Sequence, residues 1–281
     1  MDKFAVEAYT PKEIAARVET ICISKSMTDP LRVFVLALLA GAFIGLGATF
    51  FTLVTYDVSI AVNQGLMRLV GGLSFCLGLI LVVVAGAELF TGNNLLVMAY
   101  MDKKITFTQL MKNWSIVFVG NFIGALGLVV LIYLSGHWLT GAGAVGAKAL
   151  IIAESKLNLS FLEAFSRGVL CNILVCLAVW LCFAGHSVTD KILAILFPIT
   201  AFVALGFEHS VANMYFVPAG MLAQLEPQVV QLAEQIKPGL EITSLTLSNF
   251  LLNNLLPVTL GNIVGGSLFV AMIYWFLYLR D

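Results

Sequence analysis

The stretch Gly86-Ala-Glu-Leu-Phe-Thr-Gly-Asn-Asn94 interrupts one long apolar run, and Gly206-Phe-Glu-His-Ser-Val-Ala-Asn213 interrupts another. An offset of 120 residues aligns Glu88 with Glu208, together with the asparagine five positions after each glutamate. Irregular backbone at membrane depth persists only where protein groups or a water-filled cavity satisfy its N–H and C=O groups. Paired interruptions in two halves of a chain therefore indicate a transport path.

The composition around these stretches is that of a membrane protein. The 281 residues are 60 % hydrophobic and 11 % charged, with a mean hydropathy of +0.99 and a net charge of −1. A soluble domain carries about 25 % charged residues. The deficit of charge and the long apolar runs predict an all-α polytopic membrane protein.

Six apolar runs are long enough to cross a bilayer. We place them at residues 31–55, 66–100, 107–134, 161–184, 191–223 and 249–279. A crossing takes about 20 residues. The second and fifth runs exceed that length and contain the two interruptions, so both are predicted to be broken helices.

The two halves of the chain also match outside the interruptions. At an offset of 141 residues, Asn113 aligns with Asn254 and Asn121 with Asn262, in the third and sixth runs. Three spans are an odd number, so the second half must enter from the opposite side. The sequence therefore predicts six transmembrane helices arranged as an inverted 3+3 repeat.

The distribution of lysine and arginine predicts the orientation. Ten lie in the N-terminal segment, the loop after the second run, the loop before the fifth and the C-terminus, and five lie on the opposite side. The positive-inside bias then places both termini in the cytoplasm. We expect residues 1–30 to form a cytoplasmic amphipathic segment, opened by a capping box at Thr10-Pro11-Lys12-Glu13, and residues 31–281 to form the channel domain.

Four segments resemble the formate–nitrite transporter family. They are Val83–Gly92, Gly168–Ala178, Gly206–Met214 and Pro257–Asn262, and the likeness extends over residues 31–280. The resemblance implies an aquaporin-like helical bundle in a bacterial inner membrane, assembled as a homopentamer with one pore per protomer. It implies formate, or a similarly small weak-acid anion, as the permeant species, with proton exchange at a central histidine.

The branch of the family is less sharply marked. Lys112-Asn-Trp and Tyr274-Trp-Phe-Leu-Tyr look like the formate branch, whereas Ala85-Gly-Ala-Glu88 with Thr91-Gly92 looks more like the nitrite branch. Formate is the first expectation, and nitrite or hydrosulfide is the alternative.

The resemblance also implies site residues. A central His209 lies between apolar constrictions formed by Phe75, Leu79, Leu89, Phe90 and Phe202, with Thr91, Asn172 and Asn262 lining the pore and Lys156 in a vestibule. The breaks themselves are expected to be supported by Glu88, Glu208, Asn93 and Asn213.

The residues alone leave several roles open. His209 can offer an N–H or a proton to an anion, or merely bond the freed backbone of the break. Thr91 is either a hydroxyl donor or a local cap, and Lys156 either draws anions inward or is a solvated loop lysine. The two glutamates hold the breaks open or relay protons. Asn172 and Asn262 must bond either a neighbouring helix or the permeating anion.

Two other classes of function share some of these sequence features. A neutral-solute channel of the aquaporin type shares the inverted repeat, but neither interruption contains Asn-Pro-Ala. An intramembrane enzyme would use Ser210 or His209, but no nucleophile stands in a recognisable constellation with the histidine. The five cysteines form no CxxC pair and read as buried apolar residues. We therefore expect no enzyme activity, cofactor, metal or nucleic-acid partner.

Overall fold

The structure is a computed structural model that describes residues 7–57 and 63–280. The first six residues of the expected N-terminal segment lie outside the described residues. Within them the chain forms helices α1 Pro11–Met27, α2 Pro30–Val54, α3 Gln64–Ile80, α4 Val97–Met101, α5 Phe107–Leu134, α6 Ala144–Leu157, α7 Phe161–Cys182, α8 Val188–Leu205, α9 Ser210–Ala223, α10 Pro227–Ile236, α11 Leu256–Ile263 and α12 Ile273–Tyr278.

Six stretches of the described residues are long and apolar enough to cross a membrane, which confirms the predicted number. They are Pro30–Val54, Gln64–Gly86, Phe107–Leu134, Phe161–Cys182, Val188–Leu205 and Asn249–Tyr278. In the last stretch, a π-helical segment at Asn249–Leu255 precedes α11, and a second one at Val264–Met272 joins α11 to α12. The fold is thus a polytopic helical bundle.

Capping boxes fix where four of the helices begin. The side chain of Thr10 accepts a hydrogen bond from the Glu13 N–H, and the Glu13 side chain accepts one from the Thr10 N–H. The same reciprocal pair opens α5 at Thr106, α7 at Ser160 and α8 at Ser187. These donors have no partner inside a helix, so the caps fix where these four helices start.

The second and fifth spans are broken, as predicted. After α3 a π-helical turn covers Leu81–Gly86, and regular structure resumes only at a short 3₁₀ helix over Gly92–Leu96. After α8 the break covers residues 206–209, and α9 begins at once. Asn213, which the sequence placed in the second interruption, already lies within α9, because the His209 side chain caps that helix and restarts it early.

Two glycines make the sharp departures from the helices possible. Gly86 has φ +84° and Gly206 has φ +73°, in the left-handed region that residues with a Cβ avoid. A Cβ at either position would meet no atom within 4 Å. Backbone conformation alone therefore demands glycine at both breaks.

Helices α2 and α5 pack closely through small residues. A Cβ added to Gly124 would overlap the carbonyl oxygen of Leu38, and one added to Gly41 would overlap that of Asn121. Small residues of this kind allow helix backbones to approach closely within a bilayer.

Replacing Gly124 by Ala is expected to destabilise the bundle by about 1–3 kcal/mol, because the methyl group must push α2 and α5 apart. Thermal unfolding in mild detergent measures the effect. The control is Gly127→Ala on the same helix, where a Cβ meets nothing within 4 Å. Equal melting temperatures for the two variants would contradict the close approach.

Candidate functional site

Two cavities penetrate the bundle on either side of the breaks. The proximal vestibule has a volume of about 410 Å³, and its lining includes Val18, Lys25, Leu36, Leu79 and Leu89. The distal vestibule has a volume of about 250 Å³, and its lining includes Phe75, Lys156, Arg167, Phe202 and His209. The first lies against α1, before the first span, and the second against α6, between the third and fourth spans.

His209 ends the second break, faces Thr91 of the first break and is 3 % exposed. Its Nδ1 accepts a hydrogen bond from the Ala212 N–H at 3.0 Å and so caps α9. An accepting nitrogen carries no proton, so this network assigns the proton of the neutral ring to Nε2. Nε2 lies 3.0 Å from Thr91 Oγ1. The ring therefore donates to Thr91, which leaves the threonine O–H available as a donor.

Apolar side chains flank this donor pair on both sides. Phe75 and Phe202 meet edge to face with ring centroids 5.6 Å apart, and Phe202 stacks on His209 at 5.9 Å. Both phenylalanines line the distal vestibule, whereas Leu79 and Leu89 line the proximal one. The structure thus brings four of the five expected constriction residues to the two cavities.

The fifth expected constriction residue, Phe90, lies elsewhere. Its ring packs against Phe118 at 5.1 Å and Trp114 at 6.0 Å, both on α5. It is absent from the linings of both vestibules. In this structure Phe90 anchors the first break to α5.

Each break contains a buried glutamate held by a lysine and an asparagine. Glu208 accepts hydrogen bonds from Lys156 Nζ at 2.9 and 3.1 Å and from Asn213 Nδ2 at 2.7 Å. Glu88 accepts bonds from Lys25 Nζ at 3.1 Å and Asn93 Nδ2 at 2.6 Å. A buried carboxylate is tolerated only when it is paired and hydrogen-bonded. These contacts fit the support role predicted for the two glutamates and the two asparagines.

Buried asparagines satisfy the freed backbone of the breaks. Asn262 accepts from the Ser210 N–H at 2.8 Å and donates to the carbonyl oxygens of Gly168 and Glu208 at 2.8 and 2.9 Å. Asn121 makes the corresponding three bonds in the first break. Its partners are the Phe90 N–H and the carbonyl oxygens of Ala37 and Glu88.

Asn172 is similarly engaged with protein groups. Its Nδ2 lies 2.7 Å from Asn94 Oδ1, 2.7 Å from the Asn262 carbonyl oxygen and 3.2 Å from that of Thr91. The sequence left two kinds of partner open for Asn172 and Asn262, a neighbouring helix or the permeating anion. In the structure both amides bond neighbouring segments of the protein.

Three residues of the site were not singled out from the sequence. The sequence contained a signal for Asn121, because the 141-residue offset pairs it with Asn262, which was an expected site residue. Lys25 and Arg167 had no such signal. Lys25 enters the site only because α1 folds across the proximal vestibule, and Arg167 because α7 directs it to the distal one.

A second polar contact helps to hold α1 against the bundle. Glu19, on α1, lies beside Asp102, which accepts a hydrogen bond from Trp275 Nε1 at 3.3 Å and pairs with Lys104 at 3.6 Å. Burial, followed by the hydrogen bond to Asp102, raises the pKa of Glu19 from 4.5 to about 7. The protonated carboxyl is therefore the form that suits this contact.

Docking of α1 is expected to weaken as the pH rises through about 7. The pKa of Glu19 is about 7 in the docked helix and 4.5 for an ordinary glutamate, so the docked state binds a proton more tightly. The free energy of docking therefore becomes less favourable as the pH rises from 4.5 to about 7. Hydrogen exchange of the α1 amides on either side of that pH measures the change. Glu19→Gln should abolish it, whereas Glu13→Gln, which keeps the capping box, should not. An unchanged pH response in Glu19→Gln would contradict the assignment.

Six spans, two broken helices that meet at a buried donor pair, and a vestibule on each side define a multi-pass membrane transport protein. The chain belongs to the formate/nitrite transporter family, whose sequence profile matches residues 12–276. It is 41 % identical to the formate channel FocA of Escherichia coli strain K12, covering 96 % of this chain and 95 % of the relative. It is 40 % identical to the probable formate transporter of Methanothermobacter thermautotrophicus, covering 97 % and 98 %.

Two solved structures of channels are similar to this fold. A pentameric formate channel with formate bound superposes with a TM-score of 0.81 at 41 % identity, covering 89 % of this chain and 98 % of that one. An FNT family ion channel superposes with a TM-score of 0.80 at 28 % identity, covering 94 % and 98 %. The likeness therefore spans the whole bundle.

Proposed function

We propose that this protein is a formate channel of a bacterial inner membrane, with both termini in the cytoplasm and five protomers that each contain a pore. The observation that carries the proposal is the buried His209–Thr91 donor pair, in which His209 stacks on Phe202 and lines the distal vestibule, while Leu79 and Leu89 line the proximal one. The names of the relatives, which are formate channels and a probable formate transporter, support the same substrate.

The donor pair can replace the water that an anion loses on entering the apolar constriction. An ionised carboxylate loses its water in an apolar constriction and crosses only if donors replace that water. The Thr91 hydroxyl and the His209 Nε2–H are such donors, and hydrogen bonds to a charged partner are shorter and stronger than neutral ones. In this proposal formate passes between Phe75 and Phe202 and replaces the bond between Thr91 and His209 with bonds to its own oxygens.

Proton transfer at His209 is a separate step of the proposal. Donation of a whole proton to formate needs the doubly protonated ring, and Nδ1 is occupied by the Ala212 N–H. Protonation would therefore cost the cap of α9. This contact favours hydrogen-bond donation over proton exchange as the basic role of the histidine, and it makes exchange dependent on local opening of the cap.

Anion selectivity is tested by flux into proteoliposomes. We expect saturable uptake of formate, a slower uptake of nitrite and hydrosulfide, and no glycerol-driven swelling above that of empty vesicles. Glycerol permeation at the rate of formate would replace the proposal with a neutral-solute channel. Nitrite uptake faster than formate uptake would move the protein to the nitrite branch, to which Thr91-Gly92 already has some likeness. Native mass spectrometry in mild detergent tests the pentamer.

A further inference from the structure

Among the described residues, the distal vestibule contains one cation, Arg167, that forms neither an ion pair nor a side-chain hydrogen bond. Lys156 also lines this cavity, but Glu208 already neutralises it at 2.9 Å. Among residues 7–57 and 63–280, none of the four ion pairs includes Arg167, and its guanidinium donates no hydrogen bond. Glu163, one helical turn earlier, uses its carboxylate to accept from Ser160 N and Oγ at 2.9 and 2.7 Å. Arg167 is half-buried, and its attraction to Glu163 acts over a longer range than an ion pair, so its guanidinium N–H groups stay available at this mouth.

The backbone at position 167 has a structural duty that needs no arginine. The Arg167 carbonyl oxygen accepts a hydrogen bond from the Glu208 N–H at 3.3 Å, and the Leu36 carbonyl oxygen accepts one from the Glu88 N–H at 3.2 Å. The next residue is also bound in the same way at both breaks. Asn262 donates to the carbonyl oxygen of Gly168, and Asn121 donates to that of Ala37. Position 36 thus makes the same contacts at the first break that position 167 makes at the second.

Leu36 moreover lines the proximal vestibule as Arg167 lines the distal one. A leucine meets every backbone requirement of this position, since the contacts involve only the carbonyl oxygen. The guanidinium is therefore an addition to the scaffold, and it faces the path that an anion must take.

We propose that Arg167 is an anion-capture residue of the distal vestibule, where its guanidinium binds the carboxylate of formate before the anion passes Phe75 and Phe202. The inference rests on the proposed function and names a substrate-binding residue for it. A guanidinium presents parallel N–H groups that match the two oxygens of a carboxylate, whereas a lysine acts as a point charge. A charged cleft with low-dielectric walls also raises the local concentration of the opposite ion.

The test compares formate entry through each face of the same membrane. Spheroplasts and inverted membrane vesicles from the same cells expose opposite faces, and the half-saturating formate concentration is measured in both. Arg167→Leu, which copies Leu36, is expected to raise this concentration about tenfold at the distal face in low salt. The rise should shrink at about 1 M inert salt, where the screening length is about 3 Å. Arg167→Lys should restore the affinity only in part.

Arg68→Leu is the matched control. Arg68 lies on α3 outside both vestibules, and within the described residues its side chain donates one hydrogen bond, to the Ala204 carbonyl oxygen at 3.4 Å. It should leave the half-saturating concentration unchanged, and the melting temperature of Arg167→Leu should match that of the unaltered protein. The inference is overturned if Arg167→Leu leaves low-salt affinity unchanged, alters both faces equally, or does no more than Arg68→Leu. Absence of saturable formate entry in the unaltered protein would instead reject the proposed function.

Discussion

Formate flux is expected to fall about 10- to 150-fold when His209 is replaced by Phe. The phenyl ring keeps the flat shape beside Phe202 but removes the Nε2–H that faces Thr91. A hydrogen bond to a charged partner contributes about 1.5–3 kcal/mol, which corresponds to that range of rates. Flux into proteoliposomes at fixed protein density measures the loss. A stable His209→Phe protein that transports formate at the normal rate with an unchanged pH profile would overturn the role of the histidine.

His209→Asn separates the two duties of the ring. Asparagine is among the best residues for capping a helix, so its side-chain oxygen can replace Nδ1 on the Ala212 N–H. Its amide retains an N–H donor but no titratable proton. We expect a melting temperature close to that of the unaltered protein and a flux between those of the unaltered protein and His209→Phe. The phenylalanine variant should also lose about 1 kcal/mol of stability with the cap.

The pH profile of His209→Asn distinguishes hydrogen-bond donation from proton exchange. Donation predicts that the variant keeps the pH dependence of the unaltered protein, since formate itself titrates. Exchange predicts that the part of the dependence contributed by the ionisable ring disappears and that only the titration of formate remains. Full recovery of both flux and stability in the asparagine variant would show that a cap and a hydrogen-bond donor suffice at position 209 without a titratable proton.

The sequence predicted the parts of the fold that depend on local chemistry. Six apolar runs, the capping box at Thr10 and two glycine-containing interruptions are each visible within a short window, and the structure contains each of them, although the second interruption ends at residue 209. The 141-residue offset also paired Asn121 with Asn262, which make matching bonds at the two breaks. That correspondence agrees with the inverted 3+3 arrangement of the six helices, which stays a prediction.

Contacts between distant segments were beyond sequence reasoning. Lys25 reaches Glu88 over 63 positions of the chain, and no periodicity marks which lysine will do so. Phe90 matched a constriction position by resemblance, yet its ring turns toward α5. A break has no regular period, so the sequence cannot tell which way its side chains point.

Removing the amine of Lys156 is expected to destabilise the protein more than any other change considered for the vestibules. The Lys156 and Glu208 side chains are only 14 % and 5 % exposed. Lys156→Met would leave the Glu208 carboxylate buried with the Asn213 amide as its remaining partner. Breaking a buried ion pair from one side costs about 3–5 kcal/mol. Thermal unfolding in detergent should show a large loss, accompanied by reduced assembly.

The double variant Lys156→Met/Glu208→Gln tests whether that loss comes from the unpaired charge. A glutamine at position 208 removes the charge and can still accept the Asn213 hydrogen bond, so most of the lost stability should return. Lys148→Met is the matched control on α6, because none of the ion pairs in the described part of the chain involves Lys148. It should change stability by less than about 1 kcal/mol. If the double variant were no more stable than Lys156→Met, packing of the lysine stem, and not neutralisation of Glu208, would be what holds the second break.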